Sequence, residues 1–161
     1  MKNLLSFPHP VNEIAARWVA AMVATLSLTI ILTNYYWLTI LLAYGFLARV
    51  LTGPKLSPFG LIATKVVVPL MGNPTKLVAG PPKRFAQAIG LLFAVAALVL
   101  NYLLDAAMGA EIVLGTLTGF ALLESLMGFC TGCYVFGYFM KWGLIPAETC
   151  RKCADINFGR D

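Results

Sequence analysis

Charge and histidine are what this 161-residue chain has least of: Asp, Glu, Lys and Arg together make up 12% of it, and histidine occurs once. A soluble domain carries charge on roughly a quarter of its residues, so the composition excludes one. The single histidine, His9 in the lead Phe7-Pro8-His9-Pro10, gives no basis for imidazole catalysis and reads as a surface residue. There is no Cys-x-x-Cys-His haem attachment, no phosphate-binding glycine loop and no Ser-His-Asp set. Cysteine is missing altogether until Cys130.

What is present is apolar: 60% of the residues are hydrophobic and the mean hydropathy is +0.82. Such a chain reads as an integral membrane protein whose main partner is the lipid bilayer. A spanning helix needs about 20 apolar residues, so the length suits a single membrane domain over residues 1–161 with four spans. The stretch Trp18 to Ala48 is 31 residues without a charge, too long for one span, and the cluster Asn34-Tyr35-Tyr36-Trp37 near its middle predicts a helical hairpin. The first span is expected over 13–33, with Asn12 as N-cap, Glu13 favourably placed against the helix dipole and Arg17 snorkelling to headgroups. A cleaved signal peptide fits less well, because another apolar helix follows, expected over 35–51.

From Thr52 to Lys83 the character changes, with six prolines and four glycines. Within this connection Phe59 to Val68 is apolar but too short to span, which predicts an interfacial or re-entrant segment. The third span is expected over 85–104, fenced by Lys83-Arg84 and Asp105, and the fourth over 111–131. The fold expectation is therefore all-α: an integral membrane four-helix bundle with an interfacial or re-entrant segment between helices 2 and 3 and a short cysteine-containing C-terminal tail. Asn101 and Asp105 read as helix glue and a terminal charge, and the small residues Ala15, Ala16, Ala20, Ala21 and Ala24 as close-packing positions.

The connection from Arg49 to Arg84 holds six basic residues and no acidic one, whereas the expected short turns carry no Lys or Arg. The positive-inside rule puts it in the cytoplasm, together with both termini. Net charge +5 then follows from topology and attraction to anionic headgroups, with no nucleic acid needed.

All four cysteines lie in the segment 128–153, as Cys130-Thr-Gly-Cys133 and Cys150-Arg-Lys-Cys153, with sixteen residues between the pairs. In a reducing compartment retained thiols bind metal or exchange electrons more readily than they form permanent disulfides. The spacing fits a tetrathiolate zinc site or an iron–sulfur cluster on Cys130, Cys133, Cys150 and Cys153. It fits equally a pair of dithiols that relay electrons or sulfur. The first pair is apolar, and Gly128 and Gly132 let its backbone bend or approach a neighbour closely. A dithiol at a helix start is redox-capable because the dipole and nearby cations favour the thiolate, and Lys141, Arg151 and Lys152 are candidate cations. Glu124, a carboxylate inside a span, is a further candidate, with a hydrogen-bonded lock between helices as its structural alternative. On a straight helix it points about 180° from Cys133 and about 240° from Cys130. Only a break at Gly128 or Gly132 would bring them together.

The segments Arg49-Val-Leu-Thr-Gly-Pro-Lys-Leu-Ser-Pro58, Pro81-Pro-Lys-Arg-Phe-Ala-Gln-Ala-Ile-Gly90, Gly128-Phe-Cys-Thr-Gly-Cys133 and Pro146-Ala-Glu-Thr-Cys-Arg-Lys-Cys153 together resemble an uncharacterised bacterial family of small four-helix membrane proteins, a domain of unknown function. The resemblance implies a bacterial inner (cytoplasmic) membrane protein. It maps the family's cysteines onto Cys130, Cys133, Cys150 and Cys153, and it implies thioredoxin-like or sulfurtransferase proteins as partners. The leading expectation is thiol-redox or persulfide relay with a soluble partner. The alternatives are a membrane scaffold or subunit stapled by zinc or an iron–sulfur cluster, and a transporter of small sulfur compounds that uses Glu124.

Overall fold

Asn12 starts the first helix as its sequence dictates. In the computed structural model, which describes residues 10–145, its extended backbone (φ −76°, ψ 114°) lets Oδ1 accept from the Ile14 N–H at 3.0 Å. Helix α1 (Glu13–Thr33) runs from this cap to Asn34, which closes it in the left-handed region at φ 57°. A short turn leads to α2 (Leu38–Thr52), so the expected hairpin is present. The fold is mostly helical, but the chain is not purely so. Strand β1 (Val11–Asn12) pairs antiparallel with β2 (Leu77–Val78), and Glu13 binds Lys76 at 3.2 Å, tying the N-terminal lead to the far end of the long connection.

That connection is helical for much of its length: α3 (Pro58–Ile62), a π-helical turn (Ala63–Val67) and α4 (Val68–Leu70) follow one another without interruption. Ser57 caps α3, its Oγ accepting from the Gly60 N–H at 3.4 Å. Pro69 has no N–H to give, and the π-helical widening just before it accommodates the missing bond.

Helix α5 (Gly80–Tyr102) starts five residues earlier than expected. Pro81 and Pro82 in the first turn have no N–H that the helix would use and a φ already set for it. Lys83 and Arg84, expected as a fence outside the helix, are therefore inside it. Helix α6 (Ala107–Met127) ends four residues before the expected fourth span does, at Gly128, and the chain restarts as a separate α7 (Thr131–Lys141).

Among the described residues three helices, α1, α5 and α6, are long and apolar enough to cross a membrane. The 15 residues of α2 reach only about 22 Å, short of the roughly 30 Å hydrocarbon core. Leu32, Leu92 and Ile112 on the three long helices face outward, which suits a lipid environment. Inside, α1 packs along α6, and α5 touches both α2 and α6. The expected small residues make this possible: Ala15, Ala20 and Ala24 are buried, while Ala16 and Ala21 are partly so. At the middle of the α1–α6 seam Ser27 Oγ and Thr118 Oγ1 lie 2.8 Å apart, both buried, and each also bonds a carbonyl one turn back on its own helix. At the hairpin end the Tyr36 hydroxyl donates to Glu111 at 3.3 Å.

The Ser27–Thr118 contact generates a test. Ser27→Ala is expected to cost about 1 kcal/mol of stability, and Ser27→Leu about 1–3 kcal/mol because the site is closed on all sides. Unfolding of both variants in detergent measures this, and a Ser27→Leu chain as stable as wild type contradicts the packing described.

Candidate functional site

The way α6 ends sets where the thiol pair begins. Gly128 takes φ 69°, a left-handed cap that a side chain would strain, and its N–H returns to the Glu124 carbonyl at 3.0 Å. The last carbonyls of a helix have no partner within it. Arg17 meets two of them, donating from Nε to Ser125 O at 3.0 Å and from Nη2 to Leu126 O at 2.8 Å. The guanidinium expected to reach the headgroups makes these bonds where the negative end of the α6 dipole favours a cation.

Beyond the cap the chain doubles back into α7, and Cys130 is its N-cap. The backbone there is extended (φ −91°, ψ 101°), and the sulfur accepts from the Cys133 N–H at 3.4 Å. Cys133 Sγ donates to Cys130 Sγ at 2.7 Å, and both are free, half-buried thiols. Gly132 between them is required by contact: a Cβ there would stand 2.6 Å from the Cα and Cβ of Ala86 on α5. Phe136 seals the same seam, its ring 5.6 Å from that of Phe85.

Lys83 and Glu124 complete the site. Lys83 Nζ, on the first turn of α5, donates to Glu124 Oε1, one turn before the end of α6, and both side chains are largely buried. The break at Gly128 is the condition under which Glu124 and the thiols come together, and it is met: the charges of Lys83 and Glu124 both act on Cys130 and Cys133.

The two thiols are made unequal. The hydrogen bond from Cys133 is the main reason that the Cys130 thiol is held below its ordinary value; Lys83 and the Cys133 N–H act in the same sense, against burial and Glu124. Cys133 is driven strongly upward, first because it keeps the shared proton, then by burial and by negative charge on Cys130. Both directions favour the thiolate on Cys130 over one on Cys133.

Cys130, Cys133 and Glu124 are thus assembled in one place. Cys150, Cys153, Arg151, Lys152 and His9 lie outside the described residues. Among the described residues no three of His, Cys, Asp and Glu come together in a way that could hold a metal ion. Of the expected cations Lys141 reaches the Tyr138 ring, 5.6 Å from its centre. Among the described residues the cation that acts on both thiols is Lys83. The Pro81-Pro82 pair was the signal that could have found it, since it permits a helix to start at Gly80. Arg49 was also missed as a site residue: it is 4% exposed and stacks over the Phe46 ring at 4.5 Å.

A family model described as "Domain of unknown function (DUF4395)" matches residues 11–141, most of the chain. The chain belongs to the DUF4395 family. No curated protein and no solved structure matches it. In this DUF4395 chain the matched region includes Arg49, Lys83, Glu124, Cys130 and Cys133 and stops before Cys150.

The asymmetry of the thiols is measurable. Alkylation of Cys130 by iodoacetamide, followed by mass spectrometry across pH, is expected to reach half its maximal rate below the ordinary thiol value of about 8.5. Lys83→Met alone, which removes the cation and leaves Glu124 in place, is expected to move that midpoint upward and to slow labelling several-fold at neutral pH. An unchanged midpoint contradicts the role of Lys83.

Proposed function

We propose that this DUF4395 protein is a membrane-embedded thiol–disulfide or persulfide exchanger, with Cys130 as attacking thiolate and Cys133 as resolving thiol. One observation carries the reading: Cys130 caps a helix, and its sulfur accepts both the Cys133 N–H and the Cys133 thiol proton. Thiolates attack disulfide or sulfane sulfur readily when their pKa is near ambient pH. Cys130 attacks one sulfur of a partner disulfide, the partner's other sulfur leaves as a thiolate, and a mixed disulfide forms. Cys133 gives up its proton and attacks Cys130 Sγ, which closes the Cys130–Cys133 bond and releases the partner with two added electrons. The two sulfurs are adjacent, so the bond closes within the pair.

In this scheme the chain lies in a bacterial inner membrane, α2 serves as a fourth, short span, and the 58–70 stretch is interfacial or re-entrant. The cytoplasmic side is the one bearing Arg17, Lys76, Lys83 and Arg84. Cys150 and Cys153 exchange with a soluble thioredoxin-like or sulfurtransferase partner and pass the electrons to the first pair. A zinc or iron–sulfur staple on all four sulfurs is the rival.

The test is a trap. Cys133→Ser removes the resolving thiol, and in cells it is expected to accumulate a mixed disulfide through Cys130 that runs as a higher-mass band and disappears on reduction. Cys130→Ser should accumulate none. Equal trapping by both variants, or by neither, contradicts the assignment.

A further inference from the structure

Six buried side-chain polar atoms lack a hydrogen-bond partner among the described residues, and five of them belong to Arg49, Gln87 and Thr131. They are Nε, Nη1 and Nη2 of Arg49, Oε1 of Gln87 and Oγ1 of Thr131. All three residues line a single pocket of about 170 Å³ between α1, α2, α5, α6 and α7, with Cys130 also on its wall. Arg49 and Gln87 line a neighbouring cavity of about 180 Å³ as well, together with Lys83. Orphaned buried groups are rare because each forfeits its bonds to water, and a guanidinium carries a full charge besides. Three converging on one void indicate a missing occupant.

The charges say what kind. Arg49 and Lys83 contribute two positive charges and Glu124 one negative, which leaves one positive charge in excess. Glu124 Oε1 is bound by Lys83, and Arg49 is left with Phe46 and the more distant field of Glu124. A planar guanidinium with all its donors free matches the paired oxygens of an oxyanion, and the Thr131 hydroxyl adds a donor. Gln87 supplies a donor if its amide is turned over, an orientation that is assigned from such partners.

We propose that Arg49, Gln87 and Thr131 form an internal binding site for a compound bearing a small tetrahedral oxyanion group, sulfate-like or phosphate-like, next to the dithiol. The group is either a free anion or the phosphate of a lipid headgroup. The site does not rest on the exchange reading, since none of its binding groups is a thiol.

The test uses the full chain in a phosphate-free maltoside detergent and follows its melting temperature. Sodium sulfate is titrated in the millimolar range against sodium chloride of matched ionic strength, where exclusion from the protein surface has little effect. A parallel arm adds phosphatidylglycerol. A saturable rise with sulfate that is lost in Arg49→Met identifies a free oxyanion. A rise with phosphatidylglycerol alone, lost in the same variant, identifies a headgroup phosphate. No Arg49-dependent, saturable response in either arm overturns the site. If Arg49→Met does not fold, Thr131→Val is expected to weaken the apparent affinity several-fold, and unchanged affinity then overturns it. Cys130→Ser with Cys133→Ser is expected to keep the response, so failure of the oxyanion site and failure of the thiol chemistry are read separately.

Discussion

The buried ion pair between Lys83 and Glu124 is the constraint from which the rest of the site follows. Taking either charge out of water alone costs several kcal/mol, and a partner is what makes the burial tolerable. Lys83 is in reach only because two prolines let α5 begin at Gly80, and Glu124 because it sits one turn before the end of α6. The pair fastens the start of one membrane-length helix to the end of another and leaves a cation beside the point where α7 begins. Gly128 then turns the chain, and Gly132 lets α7 settle on Ala86 with its capping cysteine facing that cation.

Three other basic residues at this end of the molecule have definite electrostatic tasks. Arg17 satisfies the carbonyls that end α6, and Arg84 donates to Val50 O near the end of α2 at 2.9 Å. Lys76 pairs with Glu13 at the start of α1. The opposite end carries Asp105 and Glu111, the latter bound by Tyr36. A sequence-level surplus of Lys and Arg thus becomes helix capping, ion pairing and, at Arg49, one buried charge with no hydrogen-bonded partner.

Features governed by local rules were legible in the sequence. Asn12 and Glu13 start α1, the polar-aromatic cluster makes the hairpin, and the two glycines flanking Cys130 mark a bend and a close approach; each depends on a few neighbouring residues. The thiol pair was visible as a candidate, and so was the need for a break before Glu124 could join it. What was not legible depends on partners distant in sequence. The lead strand pairs with residues 77–78, Arg17 answers carbonyls more than a hundred residues away, and Lys83 is a site residue only once α5 and α6 are side by side. The second helix came out shorter than expected because the hairpin turn takes residues 34–37; at its other end α2 runs to Thr52, one residue further than expected. Cys150 and Cys153 are outside the described residues, so the joining of the two cysteine pairs stands as the sequence left it.

The central claim is that Cys130 and Cys133 are a working dithiol and not half of a metal cage. Elemental analysis of protein purified without chelator, combined with a thiol titration before and after mild oxidation, tests it most directly. The account predicts less than one metal per chain, thiols that react without prior metal removal, and a Cys130–Cys133 disulfide after oxidation. One tightly held zinc or iron–sulfur cluster per chain, with all four thiols unreactive until it is stripped, would contradict it.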